Sequence, residues 1–200
     1  MKKLLSIFLL LTATLLMNSC GLFKARIGAH FQNNTSGYSD SNEDTNTDTN
    51  TDLAITKVKA FDKKALNNEF SNNSTGVYVG ISFLEISLTD KLEFQPELNF
   101  IAIKNFNQIQ TPILLKYNIV DKFSAYAGPS FGFLLDRPEG IDSFNVALDF
   151  GLSYDITEKF SVETRYDWGQ TNLLDGGDSD NYFKLNSFQV GVTYKFDSKK

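Results

Sequence analysis

Apolar and polar residues alternate one by one along most of this chain. In KFSVETRYDW, residues 159–168, Phe160, Val162, Tyr166 and Trp168 share one parity, and Glu163, Arg165 and Asp167 share the other. Successive side chains of a strand point to opposite faces, so the segment predicts a ribbon with one oily and one ionic face; a helix would scatter both sets. Residues 23–32 set Phe23, Ala25, Ile27, Ala29 and Phe31 against Lys24, Arg26, Gly28, His30 and Gln32. Residues 144–154 set Phe144, Val146, Leu148, Phe150, Leu152 and Tyr154 against Asn145, Asp149, Gly151 and Ser153. The pattern recurs at 91–103, 109–119, 123–135 and 187–196, and less cleanly at 76–88. With 159–172, eight strands are predicted, an even number that suits a single-chain antiparallel barrel with both termini on one side.

The links between these strands alternate in length. After strands two, four and six come the near-repeats LTDKL (88–92), IVDKF (119–123) and ITEKF (156–160), each with an acid and a lysine before the next strand, which read as hairpin turns. The other links are longer, above all residues 34–74. Short turns at one end and long loops at the other are the habit of outer-membrane barrels.

Soluble and membrane barrels share this alternation with inside and outside exchanged, so the orientation of the faces decides the class. An eight-stranded interior has room only for filling side chains, and the parity holding Gly28, Gly80, Gly128, Gly132, Gly151, Gly169 and Gly191 is the compact one. The bulky parity therefore points outward. Its aromatics gather near the strand ends: Phe94, Tyr117, Phe123, Tyr154, Phe160, Tyr194 and Phe196 near the turns, and Phe31, Phe100, Phe133, Phe144 and Trp168 near the loops. Between them lie mainly Ile27, Ile81, Leu98, Ile113, Ala127, Leu148, Val162 and Val190, an aliphatic band between two aromatic girdles. The polar parity carries Lys24, Arg26, Lys116, Arg165 and Lys195 against Glu93, Glu97, Asp149, Glu163 and Asp167, and five against five predicts a paired lumen network. The fold class expected is all-β, an eight-stranded antiparallel up-and-down transmembrane barrel.

Composition narrows the class further. Two hundred residues make one domain, with 18 Phe and a net charge of −5. A slightly negative mean hydropathy argues against a helical membrane protein, and the absence of a basic stripe argues against a nucleic-acid partner. A single cysteine excludes a disulfide framework and a multi-cysteine metal site. Lys2 and Lys3 precede an apolar run, Leu4 to Met17, and residues 1–21 read as a secretory signal, with 22–200 as the barrel. Two processing routes are open: cleavage after Gly21, or a lipoprotein signal LMNSC with lipidation at Cys20.

The phrases FLEISLTDKLEFQPELNF, QTPILLKYNIVDKFSAYAGPSFGFLL, VALDFGLSYDITEKFSVETRYDWGQTNLL and the closing VGVTYKF resemble, in this order, the porin-family outer-membrane β-barrel domain, a relative of the small OmpA/OmpX-type barrels of Gram-negative bacteria. The resemblance covers nearly the whole mature chain. It implies a fold, a place in the cell outer membrane with membrane lipid as a partner, and an aromatic near the C-terminus, here Phe196, as the signal to the barrel-assembly machinery. It implies no particular substrate.

Function is less legible. The buried charges read either as a structural network that fills a closed lumen or as a gate or ion pathway, and the structural reading is preferred because buried charges persist only when paired. His30 is the one imidazole; its place near the loop end of strand one makes a rim-located lipid-modifying enzyme a competing reading. No nucleophile elbow, glycine loop or metal-ligand pair is present, so no catalytic residue, cofactor or metal is assigned. Residues 34–52 carry five acids and no base in an Asn/Thr/Asp near-repeat, and 53–74 regain apolar residues, so 34–74 is expected to be a long acidic extracellular loop, a solvated shield or the seat of an unidentified ligand. No peptidoglycan-binding domain is expected after the barrel. A soluble lipocalin-like carrier and a small pore are the remaining alternatives to a structural or surface-interaction barrel.

Overall fold

The computed structural model describes residues 23–37, 73–82, 85–103, 106–135, 137 and 140–196. The expected signal segment, Cys20 and most of the first loop lie outside the described residues. Among the described residues nine strand segments occur: β1 (Phe23–Gly37), β2 (Asn73–Ser82), β3 (Ile86–Ser87), β4 (Leu92–Ile103), β5 (Phe106–Val120), β6 (Phe123–Leu134), β7 (Phe144–Asp155), β8 (Phe160–Gly169) and β9 (Tyr182–Phe196). Every neighbouring pair is antiparallel. β1 pairs with β9 along its whole length and β2 pairs with β4, so the sheet closes on itself without an edge.

β2 and β3 both pair with β4 and form one stave, which leaves eight staves in an up-and-down barrel. Ser82 faces Glu97, but Ile86 faces Phe94, so the register slips by one residue between the two segments, as at a β-bulge. This slip is why the alternation at 76–88 is unclean: the parity that faces inward changes within it. Following the register once around, from Lys24 through Ser82, Glu97, Pro112, Ser130, Ala147, Gly169 and Leu185, returns to β1 at Asn34, ten residues further along. That stagger on eight strands tilts them by about 40° and leaves an interior just wide enough for side chains.

Strand lengths differ from the expectation at the loop end. β1 runs to Gly37 rather than stopping at 32, and β9 begins at Tyr182 rather than 187, the two pairing up to Gly37 with Tyr182. Asn33 and Thr35 lie on the outward parity here, so the segment carries no oily face for the sequence to reveal. The connection expected at 34–74 is accordingly confined to 38–72. β8 ends at Gly169, short of the expected 172.

Two of the three turns at the other end share one chemistry. In LTDKL the backbone N–H groups of Leu88 and Thr89 donate to the Leu92 carbonyl at 2.8 and 3.1 Å, and in ITEKF those of Ile156 and Thr157 donate to the Phe160 carbonyl at 2.9 and 3.1 Å. Thr89 Oγ1 accepts from the Leu92 N–H at 3.1 Å, and Thr157 Oγ1 accepts from the Phe160 N–H at 3.0 Å. A threonine hydroxyl thus closes each turn on its own backbone. In IVDKF, Asp121 and Lys122 make a tighter two-residue turn.

Away from the strand ends the outward face is apolar apart from Thr111 and Thr164, with Ile27 62%, Val79 48% and Leu98 42% exposed. An apolar surface continuous around a whole barrel far exceeds the few hundred Å² that a water-soluble monomer leaves bare. On that face Phe23, Phe94, Tyr117, Phe123, Tyr154, Phe160, Tyr194 and Phe196 share the turn-end level; Phe23 packs on Phe196 at 5.4 Å, and Tyr194 on Phe160 at 4.9 Å and on Phe196 at 4.7 Å between ring centroids. Phe31, Phe100, Phe133, Phe144 and Trp168 share the upper level with Phe131, Tyr166 and Phe188, Phe144 packing on Phe133 at 5.2 Å. With a strand rise of about 3.3 Å per residue and the tilt above, the two levels lie about 20 Å apart.

A charge inserted between those levels must be forced into hydrocarbon. Ile27→Arg is expected to lower the unfolding free energy in lipid vesicles by about 2–4 kcal/mol, and Ile119→Arg, beyond the turn-end girdle, by about 0–1 kcal/mol. Equilibrium urea unfolding monitored by tryptophan fluorescence measures both.

Candidate functional site

Inward residues of the eight staves stack in levels, because the pleat delivers every second side chain to the lumen. At the turn end, Lys24 forms an ion pair with Glu85. Glu85 was not among the expected lumen charges; the register slip between β2 and β3 turns it inward. Asn118 Nδ2 donates to Glu93 Oε1 at 3.1 Å, and Ser124 Oγ donates to Asn118 Oδ1 at 2.8 Å. Lys116 stands opposite Glu93 across β4 and β5, and Lys195 stands opposite Lys24 across β1 and β9.

One level up lies a buried ion belt. Glu97 is fully buried and bridges two guanidinium groups: it pairs with Arg26, and Arg165 Nη1 lies 2.8 Å from its Oε2. Arg26 Nη1 also lies 3.7 Å from Glu163 Oε1, and Arg165 Nη1 lies 3.8 Å from Asp149 Oδ2. Gln95 Nε2 donates to Glu97 Oε1 at 2.6 Å. Two tyrosines complete the belt. Tyr78 donates its hydroxyl to Glu163 Oε1 at 3.0 Å, and Tyr126 lies against Arg165, whose guanidinium carbon is 5.0 Å from the ring centre.

The inward glycines explain how rings of this size fit. Along one register row Tyr78 faces Gly28, Gly28 faces Gly191, and Gly191 faces Glu163, so the ring lies across two glycines before its hydroxyl reaches the carboxylate. A Cβ on Gly191 would stand 2.1 Å from the Tyr78 hydroxyl oxygen, and one on Gly151, between Tyr126 and Arg165, would stand 2.2 Å from the Tyr126 ring. Both tyrosines stand on the parity expected to be uniformly compact; the signal for them is the lining-up of Gly28, Gly191 and Gly151 beside inward aromatics, which needs the register to be seen.

Above the belt the lumen is lined by amides. Asp167 accepts hydrogen bonds from Ser187 Oγ, from Gln189 Nε2 at 2.9 Å and from Gln110 Nε2 at 3.5 Å. It was expected in a balanced set of charge pairs, but its recorded hydrogen-bond partners are neutral, and the belt itself holds two arginines against Glu97, Glu163, Asp149 and Asp167. The five-to-five balance is met only by lysines at the turn end. His30 is fully buried at this level, opposite Gln189 and near Asp167, rather than at the rim, because β1 continues seven residues beyond it.

At the loop end the lumen becomes apolar. Ile101, Ile103, Leu134, Phe183 and Leu185 form a cluster closed from above by Ile141 and Leu173, both fully buried. Two loops are tied together to hold that cap: Asp142 N–H donates to the Leu173 carbonyl at 2.8 Å, Leu173 N–H to the Phe183 carbonyl at 2.8 Å, and Asp175 N–H to the Gly140 carbonyl at 2.9 Å. Gly140 and Gly176, at φ of 82° and 71°, supply left-handed corners that other residues rarely adopt. In the outer loop, the backbone N–H groups of Asn181 and Asp180 donate to Asp178 and hold its carboxyl below the usual range. None of the cap was foreseen, since apolar inward residues on so short a stretch break the alternation. Among the described residues, no cluster of three or more His, Cys, Asp or Glu side chains could hold a metal ion.

A closed barrel with an oily wall, girdled by aromatics and packed with paired charges, is a transmembrane β-barrel. The chain belongs to the outer membrane protein beta-barrel domain family, whose sequence model matches residues 7–196, and it sits in the cell outer membrane. No curated protein matches it. Among solved structures it is similar to Ail, the attachment invasion locus protein of Yersinia pestis, at 13% identity and a TM-score of 0.45, covering 88% of this chain and 99% of that one. It is also similar to OprG of Pseudomonas aeruginosa, at 14% identity and 0.40, covering 89% and 97%, and to the outer membrane enzyme PagL, at 10% and 0.47, covering 87% and 99%.

The glycine cradle is testable with an internal control. Gly191→Ala is expected to cost about 1–3 kcal/mol by overpacking against Tyr78. Gly132→Ala, whose Cβ would find its nearest neighbour at an ordinary 3.5 Å, is expected to stay within about 0.5 kcal/mol of the parent in the same urea titration.

Proposed function

We propose that this outer-membrane barrel serves a structural or surface-interaction role, with a lumen closed to solutes and no catalysis of its own. The observation that carries the reading is the apolar cap: Ile141 and Leu173 are fully buried across the loop end, directly above amides and an ion belt that fill the lumen. A hydrated ion entering from outside would have to displace apolar side chains first and then break charge pairs in a low-dielectric interior. A carrier of a hydrophobic ligand needs an apolar cavity inside, and this interior holds Arg26, Glu97 and Arg165 instead. His30 lies buried below the cap, out of reach of a lipid substrate at the rim, which favours the non-catalytic reading over a rim enzyme.

The partners that follow are membrane lipid around the wall and the barrel-assembly machinery, through the terminal strand ending at Phe196. Among the described residues, the outer rim that a further ligand would meet is formed by residues 140–143 and 170–181. Purified protein reconstituted in planar bilayers is expected to leave the baseline conductance unchanged. Large, steady unit currents from the unmodified protein would contradict the closed lumen.

A further inference from the structure

The ion belt does not balance. Its buried cations are Arg26 and Arg165, and its buried anions are Glu97, Glu163, Asp149 and Asp167, all less than a tenth exposed. Asp149 and Asp167 stand directly opposite each other on β7 and β8, both facing inward. Like charges at such a cross-strand position repel. Two bare carboxylates facing each other offer only acceptors, and neither oxygen of Asp149 finds a hydrogen-bond donor.

The surroundings of the two differ. Asp167 receives hydrogen bonds from Ser187, Gln189 and Gln110. Asp149 has no such set among the described residues; its nearest recorded cation is Arg165 at 3.8 Å, and that guanidinium is engaged more closely by Glu97 at 2.8 Å. The remaining titratable groups around the pair are Glu163 on β8, Arg26 and His30 on β1, Tyr78 on β2 and Tyr126 on β6. None of these offers Asp149 a charge partner.

We propose that Asp149 and Asp167 share one proton at neutral pH, held on Asp149 and donated to the Asp167 carboxylate, so that the barrel carries a buried carboxylic acid at the level of its ion belt. Folding then takes up a proton that the unfolded chain, with both carboxyls ionised near the ordinary range of about 4, does not hold. The sign follows: the stability contributed by the acid form is present at low pH and is lost as pH rises through neutrality towards the second ionisation of the pair. This inference does not depend on the lumen being closed to ions.

The test compares the parent with Asp149→Asn in lipid vesicles, where the amide keeps the shape and can donate to Asp167 without a proton to lose. The parent is expected to unfold at progressively lower urea as pH is raised from mildly acidic to alkaline, while the variant loses most of this dependence and is at least as resistant as the parent at alkaline pH. Infrared difference spectra of the parent supply a readout that needs no variant: a protonated-carboxyl C=O band at neutral pH that disappears on alkalinisation. A variant less stable than the parent at every pH with the same pH profile, or a parent lacking the acid band, would overturn the proposal. So would restoration of alkaline stability by added sodium or calcium without an acid band, since a metal ion would then be neutralising the pair.

Discussion

In hydrocarbon a backbone N–H or C=O without a partner costs several kcal/mol, and no water is at hand to supply one, so a strand can cross a membrane only if both its neighbours are strands. The pairing of β1 with β9 from Phe23 to Gly37 meets that requirement at the one place where the chain has to find its own beginning. Closure then imposes everything else. Each strand acquires a face that sees only lipid and a face that sees only the lumen, and the alternation of side chains along the strand becomes a sorting of solvents.

The ten-residue stagger on eight strands sets the second constraint, a lumen narrow enough for side chains to fill and too polar to be left without partners. The chain meets it in three ways at three heights. Lysines and acids crowd the turn end, where they are half-buried. Arginines and carboxylates interlock in the middle, where desolvation makes an unpaired charge expensive and a tyrosine hydroxyl valuable. Aliphatic side chains take over at the loop end, where two loops tied by backbone hydrogen bonds fold over them. The inward glycines belong to the middle level: they are the spaces across which Tyr78 and Tyr126 reach the belt.

Much of this was legible from the residues, and the limits have physical causes. Near-strict parity in KFSVETRYDW and VALDFGLSYD, with Thr164 the polar residue on the oily face, marks β8 and β7, and the repeated acid–lysine turns mark the short end. Where the wall ends, the signal ends: the upper parts of β1 and β9 carry Asn33, Thr35 and Asn186 outward and read as loop. Glu85 was hidden by a one-residue bulge that reverses parity, which no count of alternating positions can detect. Arg26, Glu97 and Arg165 are buried, but the partners of lumen residues depend on register between strands distant in sequence, so Lys24 with Glu85 and Asp167 with Ser187 and Gln189 emerge only from the fold. The apolar cap of Ile141 and Leu173 lies on loops, where no periodicity exists to reveal it.

The claim beneath the whole account is that the even-numbered residues of β7 touch lipid tails and the odd-numbered ones do not. Single spin labels placed in turn at residues 145 to 152, with the protein reconstituted in bilayers, measure this through collision with dissolved oxygen, which concentrates in the hydrocarbon. High accessibility at 146, 148, 150 and 152 and low accessibility at 145, 147, 149 and 151 is the result expected. Uniformly low accessibility, or a profile with the opposite phase, would mean that the oily face is turned towards protein, and the barrel described here would be inside out.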